Sequence, residues 1–183
     1  IYKPSRKDIK YLEENFNFHP VVLKELQKPS ARAHVDHFED YLYFVYHIPI
    51  YEPKLRSSIP KEIDFIVTKN CLITATYEEI DIFKDFFKKC SKDARAQELY
   101  MRFGPGGIIV EIIKIAILFA LRELTHIAEK LHKVERVIFT ETISEEAKVR
   151  EISFIKRDIL NFQFQKKIFF CPFYEEDILK KQT

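Results

Sequence analysis

The sequence predicts an α/β chain: an αβα sandwich around a mixed sheet, followed by a long antiparallel helical hairpin. Three observations predict it. Aromatic and β-branched residues crowd into short runs between Val35 and Thr76, where side chains of period two suit strands. Helical spacing of apolar residues flanks those runs on both sides. From Ile108 to Phe139 there is neither Gly nor Pro, so one helix can run uninterrupted. Residues 1–103 are expected to form the α/β body. Residues 104–183 are expected to form a helical part that packs on the sheet and ends in the hairpin.

The elements follow in order. Ser5 and Asp8 have capping-box spacing, and Ile9, Leu12 and Phe16 recur at i, i+3 and i+7, giving a first helix of about ten residues. Phe18-His19-Pro20 breaks it. Pro20 suits the first turn of a short second helix carrying Val22, Leu23 and Leu26, which Lys28-Pro29-Ser30 stops. Val35 to Phe38 is extended, and Glu39-Asp40 is a turn. Tyr41 to Ile50 places Leu42, Phe44, Tyr46 and Ile48 on one face and Tyr41, Tyr43, Val45 and His47 on the other. Neither face is polar, so a central strand covered on both sides is expected, with Pro49 and Pro53 ending it. Ile63 to Val67 and Cys71 to Thr76 form a hairpin across Thr68-Lys69-Asn70. An amphipathic helix covers Ile80 to Lys89 through Ile82, Phe83, Phe86 and Phe87.

All three glycines lie in Gly104-Pro105-Gly106-Gly107, which reads as a hinge rather than a phosphate loop because no strand precedes it. The helix that follows is apolar almost all round at first, which predicts burial, and then narrows to Ile127, Leu131, Val134 and Ile138. Thr142 with Glu145 caps a last helix. Its Val149, Ile152, Ile155, Ile159 and Phe162 have the steps of a coiled-coil seam.

Composition narrows the function. The 183 residues are 46% hydrophobic and 32% charged, and Lys+Arg 30 against Asp+Glu 28 leaves a net charge of +2. That balance argues against nucleic-acid binding, which needs a clear basic excess. Cys71, Cys90 and Cys171 show no metal or disulfide spacing and read as idle thiols in a reducing compartment. There is no initiator Met and no signal-peptide pattern, so Ile1 reads as a cut end. The apolar run Ile108 to Leu121, interrupted by Glu111 and Lys114, falls short of the roughly 20 apolar residues a spanning helix needs, and a soluble chain is expected.

No nucleophile and base stand at a recognisable spacing, so no enzyme is expected. His34 and His37 invite a metal reading, but residues three apart on a strand face opposite ways. Two surface histidines beside a turn is the simpler reading. His126 and His132, six apart on a helix, also face differently. Glu39-Asp40 and Glu175-Glu176-Asp177 offer hard oxygen ligands for a hydrated divalent cation, though turns and helix ends explain them more simply. Lys166-Lys167 and Lys180-Lys181 read as solvated faces.

A resemblance sharpens this picture. Phe16-Asn17-Phe18-His19-Pro20-Val21-Val22-Leu23-Lys24-Glu25, followed by His34-Val35-Asp36-His37-Phe38-Glu39-Asp40-Tyr41-Leu42-Tyr43-Phe44-Val45, resembles the cytoplasmic domain of CorA-type magnesium transporters. The likeness continues through Glu62-Ile63-Asp64-Phe65-Ile66-Val67-Thr68-Lys69-Asn70-Cys71-Leu72-Ile73-Thr74 and, more weakly, Lys156-Arg157-Asp158-Ile159-Leu160. It implies a wall of a funnel-shaped homopentamer on the cytoplasmic side of the cell membrane. A stalk, two membrane helices and a Gly-Met-Asn pore motif would follow beyond Thr183. It further implies that Mg²⁺, or another divalent cation such as Co²⁺ or Zn²⁺, binds between subunits and holds the pore shut. Glu52 falls near one acidic sensing position of the family and is the expected metal ligand. At two others this chain carries Ile115 and Phe119. The competing reading is a free-standing α/β protein-interaction module whose coiled-coil arm binds a partner helix.

Overall fold

The structure is a computed structural model. It describes residues 1–55, 57–140 and 144–170, with side chains omitted for residues 137–140 and 161–170. Contacts divide the chain into two compact units. One comprises Ile1–His47 and Lys61–Ala116, and the other Ile48–Pro60 with the residues from Ile117 onward.

In the first unit the predicted caps form. Helix α1 (Arg6–Asn15) begins at Ser5, whose backbone N–H donates to Asp8 Oδ2 at 2.8 Å, while Asp8 N–H donates back to Ser5 Oγ at 3.3 Å. Helix α2 (Pro20–Glu25) begins with Pro20 at N1, and His19 Nδ1 accepts from Val21 N–H at 3.2 Å. Both caps satisfy N–H groups that the helix leaves unpaired. Ile9, Leu12, Val22, Leu23 and Leu26 of this helical pair share one buried cluster with Tyr41, Tyr43, Val45, Ile66 and Ala75 of the sheet.

The sheet has the order β1 (His34–His37), β2 (Tyr41–Glu52), β3 (Ser57–Thr68), β4 (Leu72–Thr76). β1 pairs antiparallel with β2, in a register that sets His34 against Val45 and Asp36 against Tyr43. β3 and β4 form the expected antiparallel hairpin, with Asp64 against Ala75. The four-stranded sheet is antiparallel rather than the mixed sheet expected, and Tyr2 adds only an isolated parallel bridge to Thr76 outside it. β2 is an interior strand, as its two apolar faces predicted.

Three further expectations need correction. Pro49 does not end β2, which runs on to Glu52. The β1 ladder stops at Val45, so Pro49 has no neighbour on that side and its missing N–H costs little. β3 begins at Ser57 rather than Ile63, because Ser57-Ser58-Ile59-Pro60 lacks the residue types that signal a strand. The glycine segment is mostly helix: only Gly104 is left-handed, at φ 63°, and the others lie in the first turn of α5 (Gly104–Thr140). A Cβ on Gly107 would lie 3.0 Å from the Tyr100 carbonyl oxygen and 3.1 Å from Phe103 Cβ, so close approach, rather than hinging, requires glycine there.

Helix α3 (Asp81–Lys92) buries Phe83, Phe86 and Cys90. The unforeseen helix α4 (Ala94–Met101) is capped by Asp93, whose Oδ1 accepts from Arg95 and Ala96 N–H. It buries only Ala96, so it carries no apolar stripe to read.

The early part of α5 is not covered all round. Ile112 and Ala116 are buried, while Val110, Ile117, Leu118 and Leu121 are exposed. Over Gly104–Arg136 this helix is long and apolar enough to cross a membrane by length and composition alone, contrary to the expectation from Ile108 to Leu121. In the second unit, α6 (Glu145–Phe170) buries Ile155 alone among the described residues of its seam, with Val149, Ile152 and Ile159 exposed. Ile127 and Val134 of α5 are buried and Leu131 is exposed. The side chains of Ile138 and Phe162, and residues Thr142, Cys171, Glu175 to Asp177 and Lys180-Lys181, lie outside what the structure describes.

Candidate functional site

Alternation along the strands gathers acidic and imidazole groups on the face of the sheet that α1 and α2 cover. β1 contributes His34 and Asp36, whose partners across the ladder include Tyr43 of β2. β3 contributes Glu62 and Asp64.

Asp64 is 1% exposed. Its Oδ2 accepts from Tyr77 Oη at 2.8 Å, while its Oδ1 has no hydrogen-bond partner among the described residues. Burial pushes its carboxyl up to about 8, a rise the Tyr77 bond opposes and the charges of Glu62 and Glu25 reinforce. Glu62, also buried, accepts Ser30 N–H at 3.0 and 2.7 Å on its two oxygens and lies 3.0 Å from His47 Nε2. Tyr43 is fully buried and its hydroxyl has no hydrogen-bond partner among the described residues. Burial raises that phenol, and the nearby charges of Asp64 and Glu25 raise it further.

Beside this network lies a half-exposed triad. His34 Nε2 is 3.2 Å from Glu25 Oε2 and 3.6 Å from Asp36 Oδ2, and the three groups can present ligand atoms all within 4.8 Å of one another. His34 and His37 are indeed separated, as expected. The ligand partner of His34 is instead Asp36, two residues on and on the same face, together with Glu25 at the end of α2. The sequence signal was the i, i+2 spacing of His34 and Asp36. Nothing in the sequence pointed to Glu25 as their third partner.

The other candidates stand apart. Glu52 is half-buried in the second unit at the tip of the β2–β3 hairpin, where its Oε1 accepts from Lys54 N–H at 3.3 Å. Among the described residues it belongs to no group of three potential metal ligands. Ile115 and Phe119 are half-buried, and Glu39-Asp40 is an exposed turn. His126 and His132 are exposed and face Glu129 and Glu135 on their own helix. The described groups can hold protons or a cation.

Comparison with known proteins bears on the fold and the family. A stretch of 70 residues, 38% of this chain, is 30% identical to the cobalt/magnesium transport protein CorA of Thermotoga maritima, covering 20% of that relative. The soluble domain of CorA from Methanocaldococcus jannaschii has a similar fold, with a TM-score of 0.72 at 16% identity over 90% of this chain and 63% of that one. The ZntB cytoplasmic domain from Vibrio parahaemolyticus is similar at a TM-score of 0.60 and 14% identity, over 99% of this chain and 68% of the other. The chain therefore spans less than two thirds of the first two relatives. Residues 1–171 match the CorA-like Mg²⁺ transporter protein family, and the chain belongs to that family.

Proposed function

We propose that this chain is the cytoplasmic regulatory part of a CorA-like divalent-cation transporter, one that senses the intracellular cation and gates a pore rather than catalysing a reaction. The observation carrying this is the family match over 1–171 on a fold shared with a soluble CorA domain. The proposal includes Mg²⁺, or a related dication such as Co²⁺ or Zn²⁺, as regulator and cargo, and a homopentamer anchored by membrane helices beyond Thr183.

Glu52 is the proposed ligand toward a neighbouring subunit. It sits on a hairpin tip, half-exposed, where a carboxylate can share a hydrated Mg²⁺ with another copy. Cation binding would favour the closed ring by bridging carboxylates that otherwise repel. The apolar residues left exposed on α5 and α6 suit contact with further chain or a second copy.

Reading the coding sequence past Thr183 tests the transporter assignment. Two apolar segments of about 20 residues around Gly-Met-Asn are expected, and an immediate stop codon would overturn it. Sensing is tested on the full-length protein by limited proteolysis with and without Mg²⁺. Mg²⁺ should protect the parent, and Glu52→Ala should lose that protection. Equal protection in both removes Glu52 from the mechanism.

A further inference from the structure

We propose that Glu25, His34 and Asp36 form a site within one chain for a single transition-metal dication of the Zn²⁺ or Co²⁺ class, bound directly by one imidazole nitrogen and two carboxylates.

The orientation of His34 carries the argument. Its Nδ1 lies 3.2 Å from the Arg32 carbonyl oxygen. A carbonyl only accepts, so Nδ1 holds the ring proton there. That leaves Nε2 aimed at Glu25 Oε2 and Asp36 Oδ2. A neutral imidazole would set its Nε2 lone pair against two carboxylates; a second ring proton or a metal cation between them resolves the conflict, and metal titration tells the two apart. Metal-bound histidines characteristically give their other N–H to a backbone carbonyl in this way.

The spacing fits the same class of ion. Tetrahedral zinc with bonds near 2.1 Å puts neighbouring ligand atoms about 3.4 Å apart. The two distances from Nε2, 3.2 and 3.6 Å, bracket that value. The ligand atoms of Glu25 and Asp36 lie within 4.8 Å of each other, and both side chains reach solvent, with relative exposures of 35% and 48%. An imidazole ligand favours zinc, cobalt or nickel, whereas Mg²⁺ prefers oxygen alone and keeps most of its water.

A second observation comes from Tyr43. It is buried, its ring meets the His34 ring edge-on at 5.6 Å between centroids, and its unpartnered hydroxyl lies in the field of Glu25 and Asp64. A buried hydroxyl without a partner is costly, and a cation held by the triad would offset the negative field that Glu25 sets on it. A cavity of about 730 Å³ opens on Glu25, His34 and Asp36, so a hydrated ion can reach all three. Lys28 and Arg32 also line it, so the two carboxylates are needed to keep the site attractive to a cation.

Metal binding here does not depend on the transport reading. The test is calorimetric titration of the purified, chelator-stripped protein with Zn²⁺ and, separately, Mg²⁺. The parent should take up one more equivalent of Zn²⁺ than His34→Ala. Glu25→Gln and Asp36→Asn should each weaken that equivalent at least about tenfold. His37→Ala, on the opposite face of β1, should match the parent, and millimolar Mg²⁺ should leave the ion in place. Thiols such as Cys71 add the same background to every variant. The proposal is overturned if His34→Ala binds as the parent does, or if Mg²⁺ displaces the His34-dependent ion. Circular dichroism of each variant separates lost folding from a lost ligand, and Asp36→Asn, on a half-exposed side chain, supplies a second variant should His34→Ala unfold. Either result leaves the sequence beyond Thr183 to decide the transporter assignment.

Discussion

The two units bury a carboxylate to the same depth and solve the resulting problem in opposite ways. In the second unit Asp158 is 1% exposed, its Oδ2 lies 3.1 Å from Lys130 Nζ, and its Oδ1 accepts from Ser58 N–H at 2.8 Å. Lys130 also stands over the Tyr51 ring at 4.1 Å. The neighbouring Arg157 donates to Ser57 Oγ at 3.0 Å and to the Leu55 carbonyl at 2.9 Å. In the first unit Asp64 is equally buried, but what surrounds it is a phenol and two more acids. One carboxylate is given a cation. The other keeps its proton. The lesson is that burial alone does not say what an acid costs, because the sign of its nearest charge decides.

The largest expected effect breaks the paired side of this comparison. Lys130→Met leaves Asp158 buried with its Ser58 bond but no countercharge. Removing one partner of a buried pair costs about 3–5 kcal/mol, read as a lower urea midpoint of unfolding. Lys133→Met, an exposed position one turn away, should stay within about 0.5 kcal/mol of the parent. A loss below about 1 kcal/mol for Lys130→Met would put the pair in the class of surface ion pairs and erase the contrast.

The next effect sharpens the unpaired side. The Asp64 carboxyl rises from 3.8 to about 8 on folding, so over that range the folded state holds a proton that the unfolded state has released. Its stabilising contribution is complete below the unfolded value and is lost as pH rises through the folded one. The loss approaches about 1.4 kcal/mol per pH unit between those limits. Asp64→Asn mimics the protonated acid, so it should be close to neutral near pH 4 and increasingly stabilising relative to the parent as pH approaches 8. Urea unfolding at several pH values reads both slopes. Parallel slopes in parent and variant would mean that Asp64 is ionised throughout.

Sequence reading reached the fold and stopped short of the site for one physical reason. Caps, strand alternation and the hairpin are local, so Ser5 with Asp8, Tyr41 to Val45 and Thr68-Lys69-Asn70 announce themselves. Glu25, Asp64 and Tyr77 meet only after β3 and β4 are laid beside the α2 end of the sheet, across separations of 52 residues for Tyr77 to Glu25 and 13 for Tyr77 to Asp64. Glu62-Ile63-Asp64 did carry a local signal, two acids at period two inside an apolar strand, which predicts both on one face. Which face was buried under α2 was not local information. The same limit explains α6: a seam such as Val149, Ile152 and Ile159 predicts a partner, and only the structure shows that most of it stays exposed in this chain.

The smallest expected effect has the opposite sign from the first. Tyr43 is the one side chain of the first unit's network that is both fully buried and without a partner for its hydroxyl among the described residues apart from Asp64 Oδ1. Tyr43→Phe removes that oxygen and keeps the ring that packs against His34 and joins the α1–α2 cluster. Leaving a polar group buried and unsatisfied costs about 1–3 kcal/mol, so deleting it should stabilise the metal-free protein, by about 1 kcal/mol at most once the vacated volume is counted against the gain. The pH slope due to Asp64 should persist, because the hydroxyl does not hold that proton. A loss of stability greater than about 1 kcal/mol would show instead that an internal water satisfies Tyr43 and Asp64 together. The unpaired side would then be a hydrated network, and its contrast with Asp158 would be one of water against lysine.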